Sequence, residues 1–216
     1  MARRRTAVLI SGRGSNLQAL IDAARAPQFP AEIVLVISNM THAEGLQRAA
    51  DAGIATKTIA HGAFPSREAF DGQIDAALRH AEIDLVCLAG FMRVLSNDFV
   101  LRWQGRLVNI HPSLLPAFKG LKVHRQVLDA GVRISGCTVH FVVPELDSGP
   151  IIAQAAVPVL PNDSEQTLAE RTVTAEHRLY PIALRLLADG VVRLQEGRAV
   201  FADGAEKSGA LFNPEI

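Results

Sequence analysis

Thr6-Ala7-Val8-Leu9-Ile10-Ser11-Gly12-Arg13-Gly14-Ser15-Asn16 sets the fold class of this chain. Residues 6–11 carry a run of aliphatic side chains that predicts a buried strand, and Ser11 to Asn16 reads as a tight loop. From Leu17 to Ala26 the spacing becomes helical, with Leu17, Leu20, Ile21 and Ala24 on one face. A strand, a glycine loop and a helix N-terminus bring free backbone amides and the positive end of the helix dipole to one place, which suits an anion. The same residues also serve as a tight turn in which Ser15 or Asn16 caps the helix. No lysine follows the glycines as in a Walker loop, and Leu17 stands where GxGxxG requires its third glycine. The next strand, Ile33 to Ile37, ends in Ser38-Asn39 with no acidic residue for an adenosine ribose. These features argue against a dinucleotide and toward a single phosphate ester.

Composition points the same way. Of 216 residues, 49% are apolar and only 5% aromatic, which fits an aliphatic parallel sheet between helices. The predicted class is α/β: a Rossmann-like, doubly wound, mostly parallel sheet with a long C-terminal helix and a β-hairpin. One domain over residues 1–203 and a flexible tail over 204–216 are expected. The 22 Lys and Arg balance the 22 Asp and Glu, so no net field recruits nucleic acid or membrane. Cys87 and Cys137 sit in apolar runs without metal-ligand spacing, which fits a reducing cytoplasm and no metal. Arg3-Arg4-Arg5 precedes an apolar segment too short for a signal peptide and reads as a solvated terminus.

Further along, residues 43–52 predict a short helix closed by Gly53, and Thr56 to Ile59 an edge strand. Ser66 caps a helix to about His80, and Ile83 to Leu88 is a buried strand. The apolar loop Ala89-Gly90-Phe91-Met92-Arg93-Val94-Leu95 follows, suited either to lining a pocket for a flat heterocycle or to packing under a helix. Arg67, in the first turn of its helix, opposes the dipole, a placement that an acidic ligand would explain. A helix carrying His124 runs to about Ala130, and a long strand over Arg133 to Val143 holds Thr138 and His140. After a breaker-rich turn, Pro144 to Pro150, come a strand over Ile151 to Val159 and a helix capped by Asp163-Ser164. That helix runs to about Ala188, with a kink expected at Tyr180-Pro181. Val191 to Leu194 and Ala199 to Phe201 form the terminal hairpin.

Asn109-Ile110-His111-Pro112-Ser113 reads as a strand ending in a rigid loop. Two residues apart on an extended segment, Asn109 and His111 face the same side. One offers an uncharged donor and the other carries a proton near neutral pH. With Asp147 they form a candidate set of oxyanion donor, proton donor and partner carboxylate. No serine or cysteine stands in a nucleophile setting, so direct transfer between two bound substrates is the expected chemistry.

Four segments in order, Ser11-Gly12-x-Gly14-Ser15-Asn16, Leu88 to Arg93, Asn109 to Pro116 and Glu145-Leu146-Asp147-x-Gly149-Pro150, resemble the folate-dependent phosphoribosylglycinamide formyltransferases over residues 6–190. The resemblance implies 10-formyltetrahydrofolate as donor, glycinamide ribonucleotide as acceptor, no metal, and a monomer or homodimer. It assigns the phosphate to Gly14, Ser15 and Asn16, the ribose hydroxyls to Glu176, the oxyanion to Asn109 and proton donation to His111, supported by Asp147. It further implies a folate pocket from Met92, Arg93, Val94, Leu95, Asn109 and Val143, Pro144, Glu145, Leu146 and Asp147, with Arg67 and Arg93 facing the glutamyl carboxylates. Pro144 and Ser148 depart from the family pattern beside Asp147. Two other readings are a formyltetrahydrofolate hydrolase or formyltransferase with another acceptor, and a phosphate-ligand sensor without catalysis.

Overall fold

The computed structural model describes residues 2–202, so the expected tail over 204–216 lies outside the described residues. In chain order the elements are β1 (Arg4–Ile10), α1 (Ser15–Ala24), β2 (Ala31–Ser38), α2 (Glu44–Asp51) and β3 (Ala55–Thr58). After a 3-10 turn at His61–Ala63 come α3 (Arg67–His80), β4 (Leu85–Leu88), α4 (Asn97–Arg102), β5 (Leu107–His111) and α5 (Val123–Asp129). The chain then forms β6 (Ile134–Phe141), β7 (Ile151–Pro158), α6 (Glu165–Ala188), β8 (Val192–Gln195) and β9 (Arg198–Phe201).

Seven strands form one sheet in the order β3-β2-β1-β4-β5-β6-β7, and β8 and β9 form the separate hairpin. Pairing is parallel from β3 to β5, then antiparallel for β5–β6 and β6–β7. Strand order reverses between β1 and β4, the kind of switch point where α/β sheets hold ligands beyond their strand ends.

Alternation along the central strands divides the core. Val8 and Ile10 point into one cluster with Leu17, Leu20 and Ile21 of α1 and Leu184 of α6. Ala7 and Leu9 point into the other, with Phe70 and Ile74 of α3, Phe99 of α4 and Trp103 just after it. Both faces of the sheet are therefore dry at its central strands, where the sequence is aliphatic.

Two expectations change. Helix α4, missed in the sequence, is six residues long and is held by its ends: Ser96 Oγ accepts from Phe99 N at 3.4 Å, and Trp103 Nε1 donates to buried Asp75 at 3.0 Å. Arg3-Arg4-Arg5 is not simply a solvated terminus, since β1 begins at Arg4 and Arg5 Nη2 donates to Ala81 O at 2.9 Å. That carbonyl lies at the C-cap of α3, where a cation offsets the helix dipole. Helix α6 runs through Pro181 to Ala188, the extent expected from the sequence. Beside it, Tyr180 Oη donates to Leu88 O at 3.0 Å and to Val108 O at 3.3 Å, bolting the helix to β4 and β5.

Candidate active site

Strand β5 delivers Asn109 and His111 at its C-terminal end, and antiparallel pairing with β6 sets Asn109 opposite His140 and His111 opposite Thr138. His111 is 5% exposed. Its Nε2 donates to Phe118 O at 2.9 Å, which turns Nδ1 toward Asp147, whose Oδ2 lies 3.5 Å away. At that separation the two form an ion pair whenever the ring is protonated. The structure thus brings His111 and Asp147 together, with Asn109 two residues before His111 on the same strand.

The loop after β5 is clamped so that Phe118 can return to His111. Thr138 Oγ1 donates to Ser113 O at 2.7 Å and accepts from Leu115 N at 3.0 Å. Gln154 on β7 adds a bond to Leu115 O at 3.0 Å. Asp147 sits at φ +49°, an uncommon backbone state for a side-chain-bearing residue, and its Oδ2 accepts from Gly120 N at 2.8 Å. Ser148, the departure noted from sequence, closes this turn by donating to Leu146 O at 2.9 Å. Gly149 is required here, because a Cβ would lie 1.7 Å from Phe141 O.

His140 is the functional neighbour that sequence reasoning missed. Its Nδ1 lies 2.9 Å from Phe141 O, and a carbonyl can only accept, so Nδ1 carries the hydrogen and Nε2 the lone pair. Nε2 stands 3.2 Å from Asn109 Nδ2 and accepts from it, fixing which way the amide faces. Burial holds the His140 pKa below the ordinary histidine value, opposed by its bond to Phe141 and by Asp147, which keeps the acceptor lone pair available near neutral pH. The available signal was His140, two residues after Thr138, inside a buried strand.

Gly14, Ser15 and Asn16 stand where β1 passes into α1, with Gly14 at φ +71° as the residue before the helix. A Cβ on Gly14 would meet Gly45 Cα at 2.7 Å, so α2 packs directly behind this loop. Asn16 Nδ2 donates to Glu176 Oε2 at 2.7 Å, while Asn16 Oδ1 is buried with no protein partner. Glu176 is 5% exposed, and burial raises its pKa against the opposing bond from Asn16. These two expected ligand residues therefore meet each other across α1 and α6.

The expected folate segments divide by exposure. Met92, Arg93 and Val94 are exposed after β4, whereas Leu95 is buried against the core. Pro144, Glu145 and Leu146 are exposed beside half-buried Val143 and Asp147, and Arg67 is exposed at the start of α3. A cavity of about 260 Å³ lined by Asp75, Arg79, Glu82, Ile83, Arg102, Trp103 and Arg106 contains none of the expected site residues.

The formyl transferase family model matches residues 4–184. A phosphoribosylglycinamide formyltransferase from Escherichia coli is 49% identical over 197 residues, covering 91% of this chain and 92% of that protein. A trifunctional purine biosynthetic protein adenosine-3 from Bos taurus is 56% identical over 194 residues, which cover 90% of this chain but only 19% of that much longer protein. The chain thus spans about a fifth of the length of that trifunctional relative. Among solved structures, a glycinamide ribonucleotide transformylase 1 from Symbiobacterium toebii superposes with a TM-score of 0.90 at 46% identity, covering 93% of this chain and 95% of that one. With the family match spanning the sheet and the β5 site, this chain belongs to the formyl transferase family.

Proposed function

We propose that this chain transfers the formyl group of 10-formyltetrahydrofolate to the amine of glycinamide ribonucleotide, the phosphoribosylglycinamide formyltransferase step of de novo purine biosynthesis. The observation that carries the reading is the convergence of the Asn109 amide, the His111 imidazole and the Asp147 carboxylate at the end of β5, with His111 Nδ1 3.5 Å from Asp147. The 49% identity to a formyltransferase of nearly equal length supports the choice of acceptor.

The sheet order supplies the span between the ends of the ribonucleotide. The loop after β1 and the end of β5 are separated by one strand, β4. At the usual strand spacing that is about 10 Å. In this reading Gly14, Ser15 and Asn16 hold the phosphate, Glu176 the ribose hydroxyls, and the glycyl amine reaches Asn109. The loop after β4 lies between them and forms the folate wall with residues 143–147, leaving Arg67 and Arg93 for the glutamyl carboxylates.

The chemistry then follows from the groups present. The neutral amine attacks the formyl carbon, its C–N bond forms, and Asn109 donates to the oxygen that gains charge. Protonated His111 gives its Nδ1 proton, the one beside Asp147, to the folate nitrogen as that nitrogen's bond to the formyl carbon breaks, while Nε2 keeps its hydrogen on Phe118 O. Protonation makes the nitrogen a competent leaving group. The proton shed by the attacking amine leaves toward Asp147 through water. Burial of His111 keeps bulk water from competing with the amine.

The test is an assay of purified protein with 10-formyltetrahydrofolate, with and without glycinamide ribonucleotide. Formyl transfer that requires the ribonucleotide supports the proposal. Release of formate without it would mark a hydrolase, and binding without turnover a sensor.

A further inference from the structure

Ser11 stands between the two loops assigned above to different substrates. It is the last residue before the glycine loop, and its Oγ makes two bonds. It accepts from Met92 N at 2.7 Å and donates to Asn39 Oδ1 at 2.6 Å. Asn39, at the end of β2, is 3% exposed, and its Nδ2 lies 3.2 Å from His61 Nδ1. Because Asn39 Oδ1 takes the hydroxyl hydrogen, the Ser11 lone pairs are left for Met92. The hydroxyl is donor and acceptor at once, an arrangement in which each bond strengthens the other.

Both loops are also tied at their far sides. Gly45 N donates to Gly12 O at 3.0 Å, backing the glycine loop with α2. Ser96 N donates to buried Asp71 Oδ2 at 2.6 Å, pinning the segment 92–95 at its other end. Between those anchors the Ser11 to Met92 bond links one loop directly to the other. Closer restraint of residues 12–16 around a phosphate would restrict Ser11 Oγ further, and with it the backbone at Met92 where the exposed segment assigned to folate begins. A second ligand that meets an already ordered wall loses less conformational freedom on binding.

We propose that Ser11 is a positioning residue that couples the two substrates, so that occupancy of the ribonucleotide site tightens folate binding through the Met92–Ser11–Asn39 relay. The proposal rests on the substrate assignment made above. By linkage, folate must tighten the ribonucleotide by the same factor.

Isothermal titration calorimetry with tetrahydrofolate as the probe, in the absence and presence of saturating glycinamide ribonucleotide, reads the coupling directly. Wild-type protein is expected to bind tetrahydrofolate about five-fold or more tightly when the ribonucleotide is present, the lower end of ordinary coupling. S11A should bring that ratio to within about two-fold of unity, with each ligand still binding alone, while S11T, which keeps the hydroxyl, retains the wild-type ratio. A merely structural role would weaken both ligands and leave the ratio intact. S11C keeps the volume and loses the strong donor and acceptor, so it stands in if S11A does not fold, with the same loss of coupling expected. An unchanged ratio in S11A or S11C, or no coupling in the wild type, overturns the proposal. Failure of the wild type to bind the ribonucleotide at all overturns the substrate assignment instead.

Discussion

Replacing His140 with asparagine isolates the one nitrogen that orients Asn109. The asparagine amide can still donate to Phe141 O in place of Nδ1, now 2.9 Å away, but it presents nothing at the Nε2 position 3.2 Å from Asn109 Nδ2. A net hydrogen bond of this kind is worth about 1 kcal/mol, or roughly a five-fold bias in the direction the Asn109 amide faces. Losing the Asn109 donor itself should cost about 10²–10³-fold in kcat. H140N should therefore lower kcat by at most about five-fold, far short of N109A, with little change in either KM. H140Q, whose carbonyl oxygen reaches near the Nε2 position, should recover most of the loss. Steady-state formyl transfer by H140N, N109A and the double variant decides the matter. If His140 acts through Asn109, the double variant is no slower than N109A. Losses that multiply would refute the reasoning, because independent sites contribute additively to the free energy.

Glu176 has a pKa raised above 4.5 by burial, so just above pH 4.5 the folded protein holds a proton that the unfolded chain releases. Stability should fall as pH rises from 4.5 through the raised value, and E176Q should flatten that slope in urea titrations across pH 4–8. Gly149→Ala places a Cβ 1.7 Å from Phe141 O and should cost about 1–3 kcal/mol or more, seen as a loss of several degrees in Tm. Burial pushes the Cys87 and Cys137 thiols up to about 12, so neither should react with Ellman's reagent at pH 8 until the protein is unfolded, when both should. Rapid labelling of the native protein would place one of them at the surface.

How much of this could be read from the sequence depended on the range of the interaction. Periodicity and caps are local, so β1, α1 and the Ser66 cap of α3 were legible, as was the Ser164 cap of α6. The motif around Asn109 and His111 was legible because period-two alternation puts both side chains on one side. Helix α4 was not, because six residues carry little periodic signal and its stability comes from Asp75, 28 positions before Trp103. The arginines at the start of β1 were misjudged for the same reason, since Arg5 finds its carbonyl 76 positions away. Which side chain holds the Asn109 amide is likewise a question of register over 31 positions, and a strand read alone does not disclose it.

That register carries a physical consequence for the site. A purely parallel sheet would require a crossover after β5 and would bring the next strand in from the opposite end. Here the chain returns antiparallel, so the end of β6, at His140 and Phe141, lies beside Val108 and Asn109, while Thr138 lies beside His111. One strand thus supplies both the acceptor that orients Asn109 and the hydroxyl that holds the 113–115 loop, and the chain that leaves it turns directly into Asp147. Shifting β6 by a single residue would send His140 to the opposite face of the sheet and take Thr138 with it. Gly136 and Gly149 oppose such a shift from both ends. A Cβ at Gly136 would lie 2.0 Å from Ala155 O on β7, and one at Gly149 would strike Phe141 O. The geometry of the candidate site is therefore held by the packing of two glycines against neighbouring backbone as well as by the hydrogen bonds at the site itself.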